Sequence, residues 1–263
     1  MISFVGAGPG AADLITLRGA QRLATADVVI WASSLVPEAL LTHARPGTEI
    51  HDSAAMTLED VLDAYRRHPD ASIVRLHSGD PAIYGAIQEQ IDWCAANQRD
   101  FEIVPGVSSL AAAAAAIGRE LTIPKVAQSV VVTRLAGRTK ASMPPRESVA
   151  AFAAIGATTA IFLSAARPKE LQDELLGPTS AYTGDTPAAI VVRASWPDEH
   201  VVVTTVGQLA HDLAATGATT TVMVLVGPAL SGLAERSHLY SPDFAHRFRR
   251  RSQPGTTAGR PAS

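Results

Sequence analysis

Cysteine is almost missing from this chain of 263 residues: Cys94 stands alone. An intramolecular disulfide and a cysteine-based zinc cluster are therefore excluded. Cys94 falls on the apolar face of an expected helix, where it reads as buried packing. No apolar run approaches the ~18 residues that a membrane-spanning helix needs. Residues 1–25 lack a signal-peptide layout, because Met1 runs directly into a strand and Asp13 and Arg18 interrupt any apolar core. A cytoplasmic protein without membrane contact is expected. Basic charge is also short, with 22 Lys and Arg against 25 Asp and Glu and a net charge of −3, so no broad positive field is available to nucleic acid. There is no G-x-S-x-G nucleophile elbow, no P-loop and no H-E-x-x-H. The eight histidines are scattered without ligand-like spacing, so no metal site is expected.

What is present is a hydrophobic content of 47%, enough for a real core in one large domain or two ordinary ones. β-Branched and apolar runs at 2–5, 27–31, 48–51, 74–77 and 101–104 alternate with helical patterns. That alternation predicts a mainly parallel sheet covered on both faces. Thr57 followed by Asp60 resembles a capping box, and Asp13 or Thr16 can cap the first helix. Six alanines at 111–116 favour a helix that lies close to neighbouring backbone. A second unit follows, with strands at 129–133, 159–163, 189–193, 200–205 and 221–226 and helices near 146–154, 168–176 and 208–215. Only six residues, 194–199, join two of those strands, too few for a crossover helix, so they form an antiparallel hairpin in a mixed sheet. The expected organisation is an α/β domain at 1–121, a second at 122–235, and a disordered, arginine-containing tail at 236–263.

Four strand ends carry turn chemistry. Gly6-Ala7-Gly8-Pro9-Gly10 follows the first strand but departs from the dinucleotide fingerprint G-x-G-x-x-G. Position 11 is Ala, and Pro9 removes an amide that a pyrophosphate would use. Ser33-Ser34 follows the second strand. Ser78-Gly79-Asp80-Pro81 follows the fourth, holding a carboxylate in a tight turn ahead of a helix read from Ile83, Ile87, Ile91 and Cys94. Pro105-Gly106-Val107-Ser108-Ser109 follows the fifth. In a parallel sheet these loops share one edge, the place where small ligands bind in such folds. Read from the residues alone, the chain is a two-domain α/β small-molecule enzyme, and the reaction stays open.

Residues 4–16 (FVGAGPGAADLIT), 76–85 (LHSGDPAIYG) and 104–109 (VPGVSS) resemble the signatures of the tetrapyrrole methylases of the cobalamin pathway. Within that family, 51–59 (HDSAAMTLE), 118–124 (GRELTIP), Thr133-Arg134, Gly137-Arg138-Thr139 and 194–199 (ASWPDE) are similar to members acting at C11 of precorrin-4. The resemblance covers residues 1–240. It implies methyl transfer from S-adenosyl-L-methionine to a ring-contracted tetrapyrrole, two α/β domains with the cofactor between them, and a homodimer. It places cofactor contacts at Pro9, Ser78, Gly79, Asp80, Ile83, Ser108, Ser109, Ser164, Ala194 and Ser195. Substrate-binding candidates are Arg18, Ser33, Ser34, His51, His77, Tyr84 and Arg134, the cations serving the substrate carboxylates. Asp52, as a general base, and Arg119 are the catalytic candidates. Methylation of cobalt-precorrin-4 or at another macrocycle position is the alternative within the family. A nicotinamide-dependent oxidoreductase and a non-catalytic tetrapyrrole carrier are the rivals outside it.

Overall fold

The computed structural model describes residues 1–136, 141, 143, 144, 146–232, 237–241 and 244–248. The quoted Gly137-Arg138-Thr139 and most of the expected tail, including Arg249 to Arg251, lie outside the described residues.

Strands β1 (Ile2–Gly6), β2 (Val28–Trp31), β3 (Glu49–Asp52), β4 (Ile73–His77) and β5 (Phe101–Val104) build the first sheet in the order β3-β2-β4-β1-β5. Every pairing in it is parallel. Side chains alternate between its two faces. Ile2, Phe4, Val28, Ile30 and Ile73 pack under α2 (Leu58–Arg67) and α3 (Gln88–Ala96). Val5, Val29, Val74 and Leu76 pack with Leu23 of α1 (Leu17–Thr25) on the other. Neighbouring strands β1 and β4 thus send their helices to opposite faces, which opens a crevice at their carboxyl ends.

Local signals set the helix starts. The Thr16 hydroxyl accepts from Gly19 N at 3.1 Å, so Thr16 rather than Asp13 caps α1. Thr57 and Asp60 form the expected capping box of α2. The helix expected from Ile83 begins only at Gln88. The reason is the backbone at Tyr84 (φ 56°) and Ala86 (φ 49°), which leaves the right-handed helical region. Gly85 curls back so tightly that a Cβ there would meet the Pro81 carbonyl oxygen at 2.1 Å. Residues 81–87 are therefore a loop that projects Ile83 and Tyr84 outward, while Cys94 is fully buried as expected.

Strands β6 (Val130–Arg134), β7 (Thr158–Phe162), β8 (Pro187–Val192), β9 (His200–Thr205) and β10 (Val222–Val226) form the second sheet, ordered β6-β7-β10-β8-β9. Only β6 and β7 are parallel; β10 runs against both β7 and β8, and β8-β9 is the expected hairpin. Helices α5 (Val149–Ala153), α6 (Pro168–Leu175) and α7 (Leu209–Ala215) cover one face through Val149, Leu171, Leu175, Leu209 and Leu213. The other face is covered by the alanine-rich α4 (Ser109–Ala116), whose Ala112 and Ala113 meet Ala160, Ala189, Val191, Met223 and Leu225. Alanine lets that helix lie close to the strands, and α4 starts at the carboxyl edge of the first sheet. The helix therefore sets the second sheet's face over that edge.

Candidate functional site

Three loops meet backbone to backbone at the carboxyl edge of the first sheet. Gly8 and Gly79 exchange hydrogen bonds, Gly79 N to Gly8 O at 2.8 Å and Gly8 N to Gly79 O at 3.3 Å. A Cβ on Gly106 would stand 2.1 Å from the Gly79 carbonyl oxygen and 2.8 Å from the Gly6 Cα, so only hydrogen fits there. Asp80 fastens the junction: its Oδ2 accepts from Gly106 N at 2.9 Å and its Oδ1 from Ala82 N at 2.8 Å. The carboxylate in the tight turn thus ties the 78–82 loop to the 105–109 loop.

From the second sheet, the loop after β8 closes over the first glycine loop. Trp196 lies on Gly10, where a Cβ would meet the indole at 2.2 Å, and its Nε1 donates to Pro9 O at 3.0 Å. The Ser195 hydroxyl accepts from Ala11 N at 2.9 Å, and the Arg193 guanidinium sits 4.0 Å over the Trp196 ring.

Between the loops and the second sheet lies a cavity of about 360 Å3. It is lined by Pro9, Ser78, Gly79, Asp80, Ile83, Ser108, Ser109, Ser164 and Ala194, nine of the ten expected cofactor contacts. The tenth, Ser195, lies outside it and is engaged with Ala11. Sequence reasoning missed the remaining wall: Leu35, Phe162 to Ala166 apart from Ser164, Val191, and Thr219 to Met223. Leu35 comes from the loop after β2; no motif marks the others, which arrive because β10 sits between β7 and β8. The Ser164 hydroxyl, 1% exposed, has no hydrogen-bond partner in the structure. Among the described residues lining the cavity there is no Lys, Arg or His, and Asp80 is the one charged side chain.

That charge pattern decides which ligands fit. A dinucleotide would bring a diphosphate to a cavity whose one charged side chain is the Asp80 carboxylate and whose first loop lacks the amide that Pro9 removes. A ligand carrying a sulfonium and an ammonium finds a carboxylate, several serine hydroxyls and apolar walls. The orphaned Ser164 hydroxyl is a buried polar group awaiting a partner. The residues present fit S-adenosylmethionine.

The expected substrate and catalytic residues distribute unevenly. Tyr84 lines the cavity, packs on Phe162 at 5.1 Å between ring centroids, and lies within electrostatic reach of Arg134 at the end of β6. Burial raises its phenol pKa. Ser33 and Ser34 are exposed in the loop that supplies Leu35, and Arg18 is exposed on the first turn of α1. His77, expected as a cation, is instead buried beside Phe4 at 6.2 Å, and burial, with Arg75 adding to it, pushes its pKa down to about 3. A neutral imidazole inside the first sheet's core grips no carboxylate. His51 turns toward Glu49, its Nε2 lying 2.7 Å from Glu49 Oε1.

The two catalytic candidates have structural partners. Asp52 Oδ1 accepts from Ser33 N at 3.1 Å and Ala54 N at 2.9 Å. Hydrogen bonds from the Ser33 side chain and these amides hold its carboxyl below the usual range, which weakens it as a base. Arg119 Nε donates to Leu230 O at 3.1 Å, and its guanidinium lies against Gly232, outside the cavity lining.

Comparison with known proteins follows this geometry. Residues 1–210 match the family model described as Tetrapyrrole (Corrin/Porphyrin) Methylases. The chain belongs to this family. One tetrapyrrole methylase, the precorrin-4 C(11)-methyltransferase of Sinorhizobium sp, is 43% identical over 255 residues, covering 96% of this chain and 99% of that protein. The X-ray structure of a cobalt precorrin-4 methyltransferase superposes with a TM-score of 0.82 at 41% identity, covering 87% of this chain and 95% of the other. Uroporphyrin-III C-methyltransferase from Thermus thermophilus, solved in complex with S-adenyl homocysteine, superposes with a TM-score of 0.71 at 26% identity, covering 89% and 95%. The tetrapyrrole methylase fold accounts for both sheets. No oxidoreductase is among these relatives, and the cavity offers a diphosphate no cation. No helix among the described residues is long and apolar enough to cross a membrane.

Proposed function

We propose that this chain transfers the methyl group of S-adenosylmethionine to C11 of precorrin-4, giving precorrin-5 in cobalamin biosynthesis. The observation that carries the reading is the cavity itself: a cation-free pocket with one carboxylate and an unpartnered buried serine hydroxyl. The relatives named above support the substrate class. When bound, S-adenosylmethionine supplies a methyl group activated by the positive sulfur.

The chain's own residues hold and orient. Asp80 provides the negative charge that favours a cationic ligand, and Ser78, Ser108, Ser109 and Ser164 offer hydroxyls. Pro9, Ile83, Leu163 and Met223 give the cavity apolar walls. Tyr84 and Arg134, where the cavity meets the end of β6, suit an aromatic-sized macrocycle and its carboxylates. A nucleophilic ring carbon needs no protein nucleophile, so alignment is the main catalytic contribution, of the order of 7–11 kcal/mol for well-held reactants. The missing nucleophile motif agrees with this. We extend the reading to a homodimer in the cytoplasm and to a chain that divides near residue 121.

The test is a paired assay of metal-free precorrin-4 and cobalt-precorrin-4 with S-adenosylmethionine labelled in its methyl group. NMR of the product should place the label on C11 with at least one of the two substrates. Label at any other carbon, or no transfer to either, overturns the reading.

A further inference from the structure

Away from the cavity, three side chains that the proposed reaction does not use converge at the outer edge of the first sheet. Glu49 and His51 stand two residues apart on the edge strand β3 and so share one face, and His68 is the residue where α2 stops. His51 Nε2 lies 2.7 Å from Glu49 Oε1, and His68 Nε2 lies 3.5 Å from Glu49 Oε2. One ligand atom from each side chain falls within 4.8 Å of the others. A tetrahedral zinc ion with bonds of about 2.0–2.1 Å spaces its ligand atoms by roughly 3.3 Å. The His68–Glu49 pair is already near that spacing, and the His51–Glu49 pair must open by roughly half an ångström.

The contact between His51 and Glu49 is close but not a settled hydrogen bond. His51 Nε2 is shielded from solvent and lacks a hydrogen-bond partner although the carboxylate oxygen is near, so the two are not aligned as donor and acceptor. A ring nitrogen beside, rather than aimed at, a carboxylate oxygen can share a third atom with it. Two imidazoles and one carboxylate form a donor set for zinc and its neighbours in the first transition row, whereas magnesium and calcium take oxygen. Glu49 is exposed, leaving the fourth position to water.

We propose that Glu49, His51 and His68 form a binding site for a divalent transition-metal ion of the zinc class. The ion ties β3, the edge strand beside β2, to the end of α2. Histidine spacing along the sequence conceals the site, because 16 residues and a whole helix separate His51 from His68.

Titration of the tag-free chain with zinc chloride by calorimetry tests this, alongside His68→Ala and Glu49→Gln. Cobalt(II) serves as a spectroscopic stand-in, since tetrahedral coordination gives it a strong visible absorption. The expected result is one saturable equivalent, with affinity falling at least about tenfold in each variant and the cobalt absorption lost. S-adenosylmethionine affinity should be unchanged in both, which shows that they are folded. No saturable equivalent in the parent chain, or a fall of less than about tenfold in either folded variant, overturns the site.

Discussion

Asp80 serves two purposes that a pair of substitutions can separate. As a clamp, it accepts from Gly106 N at 2.9 Å and Ala82 N at 2.8 Å. Hydrogen bonds to a charged acceptor contribute ~1.5–3 kcal/mol each when buried, and partial exposure of Asp80 reduces the two together to about 2 kcal/mol. Asp80→Ala should then lower Tm by roughly 4–8 °C, at ~2–4 °C per kcal/mol for a chain of this size. As a charge, Asp80 is the one anionic side chain among the described residues lining the cavity. Asp80→Asn removes the charge and keeps one of the two acceptor oxygens, its amide nitrogen left facing the other backbone N–H, so its Tm should also fall and the charge is isolated by comparing ligands. Its Kd for S-adenosylmethionine should rise about tenfold, corresponding to ~1.4 kcal/mol of lost attraction. Its Kd for S-adenosylhomocysteine, whose sulfur is neutral, should rise by less. Calorimetry with both ligands and thermal melts of both variants read these quantities. An Asp80→Asn affinity for S-adenosylmethionine within twofold of the parent would refute the electrostatic role and leave Asp80 a turn residue only.

The orphaned Ser164 hydroxyl predicts an inversion: Ser164→Ala should leave urea stability equal or higher, because an unsatisfied buried group is removed, while Kd for S-adenosylmethionine rises ~3–10-fold. A loss of stability with unchanged Kd would contradict that. Gly106→Ala forces a Cβ to within 2.1 Å of the Gly79 carbonyl oxygen, backbone against backbone, and should cost at least ~2 kcal/mol in urea unfolding; a neutral result would mean the loops do not meet as described. Buried His77 stays neutral to about pH 3, whereas the unfolded chain takes up a proton near 6.5. The unfolded state therefore binds more protons between those values, and stability present above pH 6.5 is lost as pH falls, by about 2 kcal/mol at pH 5. His77→Leu should flatten that acid limb in urea midpoints taken from pH 7 to 4, and an unchanged slope would show that His77 does not drive it.

Much of this was legible in the residues because the relevant signals are local. Parallel strands buried on both faces read as β-branched runs, and the glycines and prolines after them mark the loops at the cavity; the cofactor contacts themselves, Ser164 and Ala194 of the second sheet's loops among them, are what the family resemblance implies. The far wall was not legible. Thr219 to Met223 carries no turn motif that points to a ligand, and its place depends on β10 running antiparallel between β7 and β8. His77 misled because a strand-end histidine looks the same in sequence whether it faces ligand or core. The late start of α3 misled for a similar reason: Ile83 and Ile87 keep helical spacing, but Gly85 and the left-handed Tyr84 and Ala86 break the backbone between them. Glu49, His51 and His68 were invisible as a group because a strand and a helix end had to be packed before they met.

Backbone strain marks the same cavity independently of any motif. Among the described residues, eight that are not glycine have positive φ, and three of them, Tyr84, Leu163 and Thr221, line the cavity. Two more, Arg193 and Ser195, are in the loop that closes over Gly10. Such conformations cost about 1–3 kcal/mol each and persist only where surrounding structure over-determines them. Here the surroundings are specific: Arg193 N bonds Thr221 O at 2.8 Å, Trp196 covers Gly10, and Gly6, Gly79 and Gly106 lock three loops together. The cost is met when the chain folds rather than when a ligand arrives. Binding then needs little further ordering of these loops, which raises affinity for a given set of contacts. A reaction limited by alignment gains from the same rigidity, because the walls that orient the donor are held by glycine backbone and two packed sheets.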